Sequence, residues 1–146
     1  MASVDILLVE DSRHDIEMIL DAIIEYNMHY RVFALHDGAQ ALDYFFGSQG
    51  CLQEAAAKLP KLILLDLKLP KVTGLEVLKR LKTDERTRYI PIVIFTSSNE
   101  YRDELESYKL GVNSYTVKPL DSDKFSRYVA DIAAYWLRIN ETIYET

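Results

Sequence analysis

The 146-residue chain has one cysteine, Cys51, so no internal disulfide can form and a cytosolic, cytoplasmic setting is the expectation. No apolar run approaches the length of a membrane span. The start, Met1-Ala2-Ser3-Val4-Asp5, lacks the basic region and long apolar stretch of a signal peptide. No cluster of Lys or Arg offsets the net charge of −6, which argues against nucleic acid as a partner. His14, His29 and His36 are scattered without ligand spacing, which argues against a zinc site. Ser12, Ser97 and Ser98 lack the Gly-x-Ser-x-Gly context of a serine hydrolase. No glycine-rich loop follows the first apolar run, which argues against a nucleotide cradle. Low-complexity tracts, repeats and a domain-separating linker are absent as well.

Hydrophobic residues make up 49% of the chain, enough for one well-packed domain. Apolar strand-like runs alternate with helical periods. Val4 to Val9 is the first run. Ile16, Ile19, Leu20, Ile23 and Ile24 then recur on one helical face, with Ser12 placed to cap and Asp15 in the first turn. Strands are expected over Arg31 to Leu35, Lys61 to Leu65, Ile90 to Phe95 and Asn113 to Val117. Helices are expected over Ala39 to Phe46, after Thr73, around Tyr101 to Tyr108, and from about Asp121. Thr73 and Glu76 have capping-box spacing. The long Ser48 to Pro60 connection carries Leu52 to Ala57, which either extends the second helix or forms a short one.

Five β-α units of this kind imply an α/β fold. The first, third and fourth strands show little alternation, as expected when helices cover both faces of a parallel sheet. Right-handed crossovers then give a (βα)5 doubly wound, open five-stranded sheet.

Ligands of such sheets bind at the carboxyl ends of the strands. Strand one ends in Val9-Glu10-Asp11-Ser12, strand three in Asp66, strand four in Thr96-Ser97-Ser98 and strand five in Lys118-Pro119. Each group has an ordinary reading by itself: a polar turn, a loop carboxylate, a helix start, a surface turn. Their joint placement at one sheet edge points to chemistry. Crowded carboxylates call for a hard divalent cation, for which Mg²⁺ is suited, and for an ammonium. The set matches phosphoryl transfer, with Asp66 as the nucleophile and Mg²⁺, Lys118 and Thr96 holding the phosphoryl oxygens.

In this order VEDS, LLDLKLP, FTSS and VKP resemble the receiver domain of response regulators, of the CheY kind. The resemblance spans nearly the whole chain and implies strand order 2-1-3-4-5. It implies that Asp66 accepts a phosphoryl group from a sensor histidine kinase. Asp11 and Asp66 would then bind the metal directly, Glu10 through water, and Lys68 through its backbone carbonyl. Thr96 would be the switch hydroxyl, Tyr115 the switch aromatic that rotates inward, and Lys118 the family's lysine, before a cis peptide bond to Pro119. The output surface would be that of helix four, strand five and helix five. Asp37 to Asp43, the Ser48 to Pro60 connection, Gly111 to Tyr115 and the Phe125…Trp136-Leu137 ending are similar to the small regulators of cyanobacterial phytochromes. On that resemblance the donor is a light-sensing kinase.

Lys68 stands where many receivers carry Asn, and its side chain is expected to alter the lifetime of the aspartyl phosphate. In the last helix Phe125, Val129, Ile132, Trp136, Ile139 and Ile143 form a heptad-like stripe, flanked by Tyr128 and Tyr135. Its first half suits core packing. Its second half suits a homodimer, with Phe125, Tyr128, Tyr135 and Trp136 as candidates. Residues 1–146 read as one receiver domain with an extended C-terminal helix and tail from about 121, so the output is contact with a downstream protein.

Rival readings are an aspartyl-nucleophile metal-dependent phosphatase, a receiver-like module that is never phosphorylated, and a flavodoxin-like cofactor binder. The first would want an acid where Lys68 stands. The second is disfavoured by the complete acidic pocket. The third would want a Ser/Thr-rich loop where Glu10-Asp11 stands.

Overall fold

In a computed structural model, residues 3–55 and 57–143 are described. Five parallel strands form one sheet: β1 (Ile6–Val9), β2 (Val32–Leu35), β3 (Leu62–Leu65), β4 (Ile92–Thr96) and β5 (Ser114–Val117). Their spatial order is β2-β1-β3-β4-β5, as expected. Five helices alternate with them: α1 (Arg13–Glu25), α2 (Gly38–Phe46), α3 (Gly74–Thr83), α4 (Tyr101–Lys109) and α5 (Ser122–Ala134).

The unalternating strands are buried on both sides, and the parity of each residue decides its side. Leu7, Val9, Ile63, Leu65, Ile92 and Ile94 face one layer, closed by Ala41 and Phe45 of α2 and Val77, Leu78 and Leu81 of α3. Ile6, Leu8, Leu62, Leu64, Val93 and Phe95 face the other, closed by Ile16, Ile19 and Ile23 of α1 and Phe125, Val129 and Ala133 of α5. Each such side chain contributes about 1.5–3 kcal/mol by leaving water. The register Val9↔Leu65 between β1 and β3 brings the chain segments after these two strands out side by side. The strand order reverses here, which is where an open sheet leaves a crevice.

Caps set the helix starts. Ser12 accepts from the Asp15 N–H at 3.2 Å, Asp37 from Gln40 at 2.7 Å and Asp121 from Lys124 at 2.9 Å. Thr73 and Glu76 form the reciprocal capping box. Each cap is worth about 1 kcal/mol. Helix α4 differs: its N-cap Glu100 makes no side-chain bond, and Ser107 is its one fully buried residue.

One open alternative is decided and two expectations change. Of the two readings of the Leu52 to Ala57 stretch, the short separate helix is the one found, as a single 3-10 turn at Cys51–Gln53 between extended Gly50 and Glu54; Ala56 lies outside the described residues. The last helix does not run on in heptad phase: α5 passes into one wider π-type turn, Tyr135–Ile139, and Asn140 is extended. The wider turn shifts the stripe off its face, leaving Ile139 and Ile143 exposed, while Trp136 and Leu137 rest against their own domain. Residues 144–146 of the expected tail lie outside the described residues. Finally, Lys118-Pro119 is trans, the form an X–Pro bond favours by about 0.5–1 kcal/mol. The Lys118 N–H is held by the Thr96 carbonyl at 2.7 Å, and its long stem reaches the pocket from that trans backbone.

Candidate functional site

The crevice beyond β1 and β3 collects the acids. The Asp66 N–H donates to the Val9 carbonyl at 3.0 Å, so the residue after β3 is still in register with β1. Glu10 is likewise held by its N–H on the Leu35 carbonyl at 2.9 Å. Carboxylate oxygens of Glu10, Asp11 and Asp66 lie within 4.8 Å of one another. Asp11 is exposed and Glu10 is buried. Asp66 is buried at 7% exposure. The loop after it folds back, tied by the Gly74 N–H to the Leu67 carbonyl at 3.0 Å.

Lys118 supplies the counter-charge from the end of β5. Its ammonium donates to Glu10, to Asp66 Oδ2 at 3.1 Å and to Asp15 Oδ2 at 2.8 Å. Burial opposes the lysine's charge, but the hydrogen bonds it donates to Asp15 and Glu10 and the charges of Asp66 and Glu10 outweigh it, so its pKa rises above the ordinary lysine range. Burial, followed by the charge of Asp66, pushes the Glu10 carboxyl up to about 7, with Lys118 offsetting only part. The carboxylates therefore outnumber the one ammonium among them. A hard cation with oxygen ligands fits that balance, and the three-oxygen cluster spans nearly the width of a site with metal–oxygen bonds of about 2.1 Å.

Thr96 is fully buried at the end of β4, where its hydroxyl oxygen receives the Ser98 N–H at 3.4 Å. Tyr115 is half-buried, and its hydroxyl donates to the Ser98 carbonyl at 2.9 Å. Burial raises its pKa, with the Ser98 bond acting the other way. Ser98 Oγ donates to Asp103 Oδ2 at 2.5 Å, which ties the loop after β4 to the first turn of α4. Lys68 is exposed; its N–H approaches Asp66 Oδ1 at 3.4 Å.

Asp15 is the site residue that sequence reasoning missed. It was legible only as a helix-start acid. Phe125 moves the other way: at 3% exposure, its ring 5.0 Å from that of Phe95, it belongs to the core and is not open to a partner. Tyr128 and Trp136 are half-buried, and Tyr135 remains exposed beside Trp136. His14 is exposed, as a solvated helix residue should be.

The profile of the response regulator receiver domain matches residues 6–130. The chain is a response regulator receiver domain. This receiver is 41% identical over 137 residues to the "Probable methanogenesis regulatory protein FilR2" of Methanothrix harundinacea, covering 94% of this chain and 86% of that protein. It is 36% identical over 132 residues to response regulator Rcp1 of Synechocystis sp., covering 90% and 88%. The crystal structure of the phosphorylated cyanobacterial phytochrome response regulator RcpA superposes with a TM-score of 0.86 at 35% identity, covering 98% of this chain and all of that one. The Mn²⁺-bound form of Rcp1 superposes with a TM-score of 0.83 at 32% identity, covering 98% and 100%. Membership sets aside the phosphatase and flavodoxin-like readings. No described helix is long and apolar enough to cross a membrane.

Proposed function

We propose that this receiver accepts a phosphoryl group on Asp66 from a histidine kinase and passes the signal on by a change of surface. The observation that carries the reading is Asp66 itself, a buried carboxylate with Lys118 on one oxygen and the Glu10–Asp11 pair beside it. Its oxygen attacks phosphorus; the bond from phosphorus to the donor's histidine nitrogen breaks, and that nitrogen retains the electron pair and takes up a proton. Glu10, Asp11, Asp66 and the Lys68 carbonyl would hold Mg²⁺, which when bound supplies charge neutralisation for the phosphoryl oxygens. Lys118 balances a further oxygen. Exposed Lys68 stands beside Asp66 and tunes how long the phosphate lasts.

The hydroxyl of Thr96 then turns toward the new oxygen. Ser98 binds Thr96, Tyr115 and Asp103 at once, so that local event reaches α4. Helix α4 is suited to respond because it buries so little of itself. Phosphorylation of RcpA and metal binding by Rcp1 support this reading. So do the phytochrome regulators among the neighbours, on which we assign a phytochrome-type kinase as donor. We place the working unit at residues 1–146 in the cytoplasm. It is a signalling protein rather than an enzyme acting on other substrates, forms a homodimer around Tyr128, Tyr135 and Trp136, and acts on a downstream protein.

Incubation with acetyl phosphate, with and without Mg²⁺, followed by intact mass measurement, tests the core of this. One added phosphate that needs Mg²⁺ and is absent from Asp66→Asn is the expected result. Phosphate that persists in Asp66→Asn overturns the assignment.

A further inference from the structure

The geometry points to Asp15 as a positioning residue that seats Lys118 so that the metal-binding carboxylates are free to take their cation; this rests on the proposed Mg²⁺ site. The Lys118 ammonium is shared by three carboxylates, Glu10, Asp15 and Asp66. Two of these belong to the cluster that would hold the cation, so lysine and metal compete for Glu10 and Asp66. Asp15 stands outside that cluster. It is also the more exposed partner, at 22% for its side chain against 2% and 8% for the other two, so its charge costs less to maintain.

The position of Asp15 is set locally. Its N–H is bound by the capping hydroxyl of Ser12, and that cap lies directly after the Glu10-Asp11 pair, whose Glu10 Oε2 receives the Ser12 N–H at 3.1 Å. The acid pair, the cap and the seat for the lysine thus form one rigid unit at the start of α1. A lysine at the end of β5, 103 residues away in sequence, closes on it. With a cation held by Glu10, Lys118 would keep Asp15 as its partner. Without the Asp15 charge the ammonium has only the metal's own ligands to lean on, and it holds them against the metal.

The test is Mg²⁺ titration by calorimetry on five proteins: the parent, Asp15→Asn, Asp15→Glu, Lys118→Met and the double variant Asp15→Asn/Lys118→Met, each checked for folding by circular dichroism. Asp15→Asn should bind Mg²⁺ about fivefold or more weakly, since the amide lacks the carboxylate's charge and so loses the Coulomb attraction that holds the ammonium. Lys118→Met should bind more tightly than the parent, because the competing cation is gone. In that background Asp15→Asn should change the affinity by less than about twofold, since the two sites then no longer share a partner. Asp15→Glu should restore binding close to the parent's.

Unchanged or tighter binding by Asp15→Asn overturns the inference. Equal weakening with and without Lys118 overturns it too, because Asp15 would then act on the metal directly. Failure of the parent to bind Mg²⁺ strikes the proposed site itself, and so is distinct from both.

Discussion

The hydroxyl of Tyr115 and the carbonyl of Ser98 join β5 to the loop that follows β4, across 2.9 Å. Removing the hydroxyl leaves the ring in place and one carbonyl without its partner. Tyr115→Phe should lose about 0.5–1.5 kcal/mol of stability in urea. Amide hydrogen exchange should quicken in α4 and the 97–100 loop and stay unchanged in α1. Uniform quickening over the whole domain would show that the bond holds the fold and not the loop.

Glu10 makes the metal-free protein sensitive to pH. Its folded pKa of about 7 lies above the ordinary value of 4.5, so the folded state binds more protons between these limits. The stability it contributes is complete below the lower value and is lost as pH rises through the upper one. Urea midpoints without metal should therefore fall between about pH 5 and 8, and Glu10→Gln should flatten that slope. A slope equally steep in Glu10→Gln would place the titrating group elsewhere.

Gly74 opens α3 against the backbone that follows β3. A Cβ there would come within 2.3 Å of the Asp66 carbonyl oxygen and 2.6 Å of the Leu67 Cα. Neither atom belongs to a side chain that can swing aside. Gly74→Ala should cost about 1–3 kcal/mol and slow phosphorylation by acetyl phosphate, because the loop carrying Lys68 must shift. Parent-like rates in a destabilised variant would separate the loop's position from the chemistry.

Tyr135 is the exposed aromatic of the wider turn beyond α5. If that turn is the homodimer contact, Tyr135→Ala should sediment as a monomer at concentrations where the parent is a dimer, with the same folded circular dichroism. Truncating Phe125 instead should unfold the domain, at about 3–5 kcal/mol, since that ring fills the core. A parent that is monomeric at high concentration, phosphorylated or not, removes the dimer from the reading.

Most of the scaffold was open to reading because its signals are local. Leu62-Ile63-Leu64-Leu65 shows no alternation and is too short a run for a helix, which together suit a strand covered on both sides. Thr73 and Glu76 are three apart, and a capping box needs nothing further. The ends of the strands could be named, and in a parallel sheet they share an edge, so Glu10, Asp11, Asp66 and Lys118 could be brought together without coordinates. The last helix was misread for the opposite reason. A stripe spaced four and three persists in the letters whether or not the backbone keeps its pitch, and the turn at Tyr135–Ile139 is wider than an α-helical one. Arg138 in that turn donates its Nε–H to the Tyr30 hydroxyl at 2.9 Å, a contact that no local pattern announces.

Local pattern and strand order, then, determined the sheet, the two covering layers and the edge at which the acids meet. They did so because hydrophobic periodicity and capping act within a few residues. Only the tertiary structure decided how the charges are shared there. Asp15 became a partner of Lys118, and Tyr115 a partner of Ser98, because each depends on residues that chain closure brings near. Coulomb and hydrogen-bond energies depend on those distances in space and are indifferent to separation along the chain.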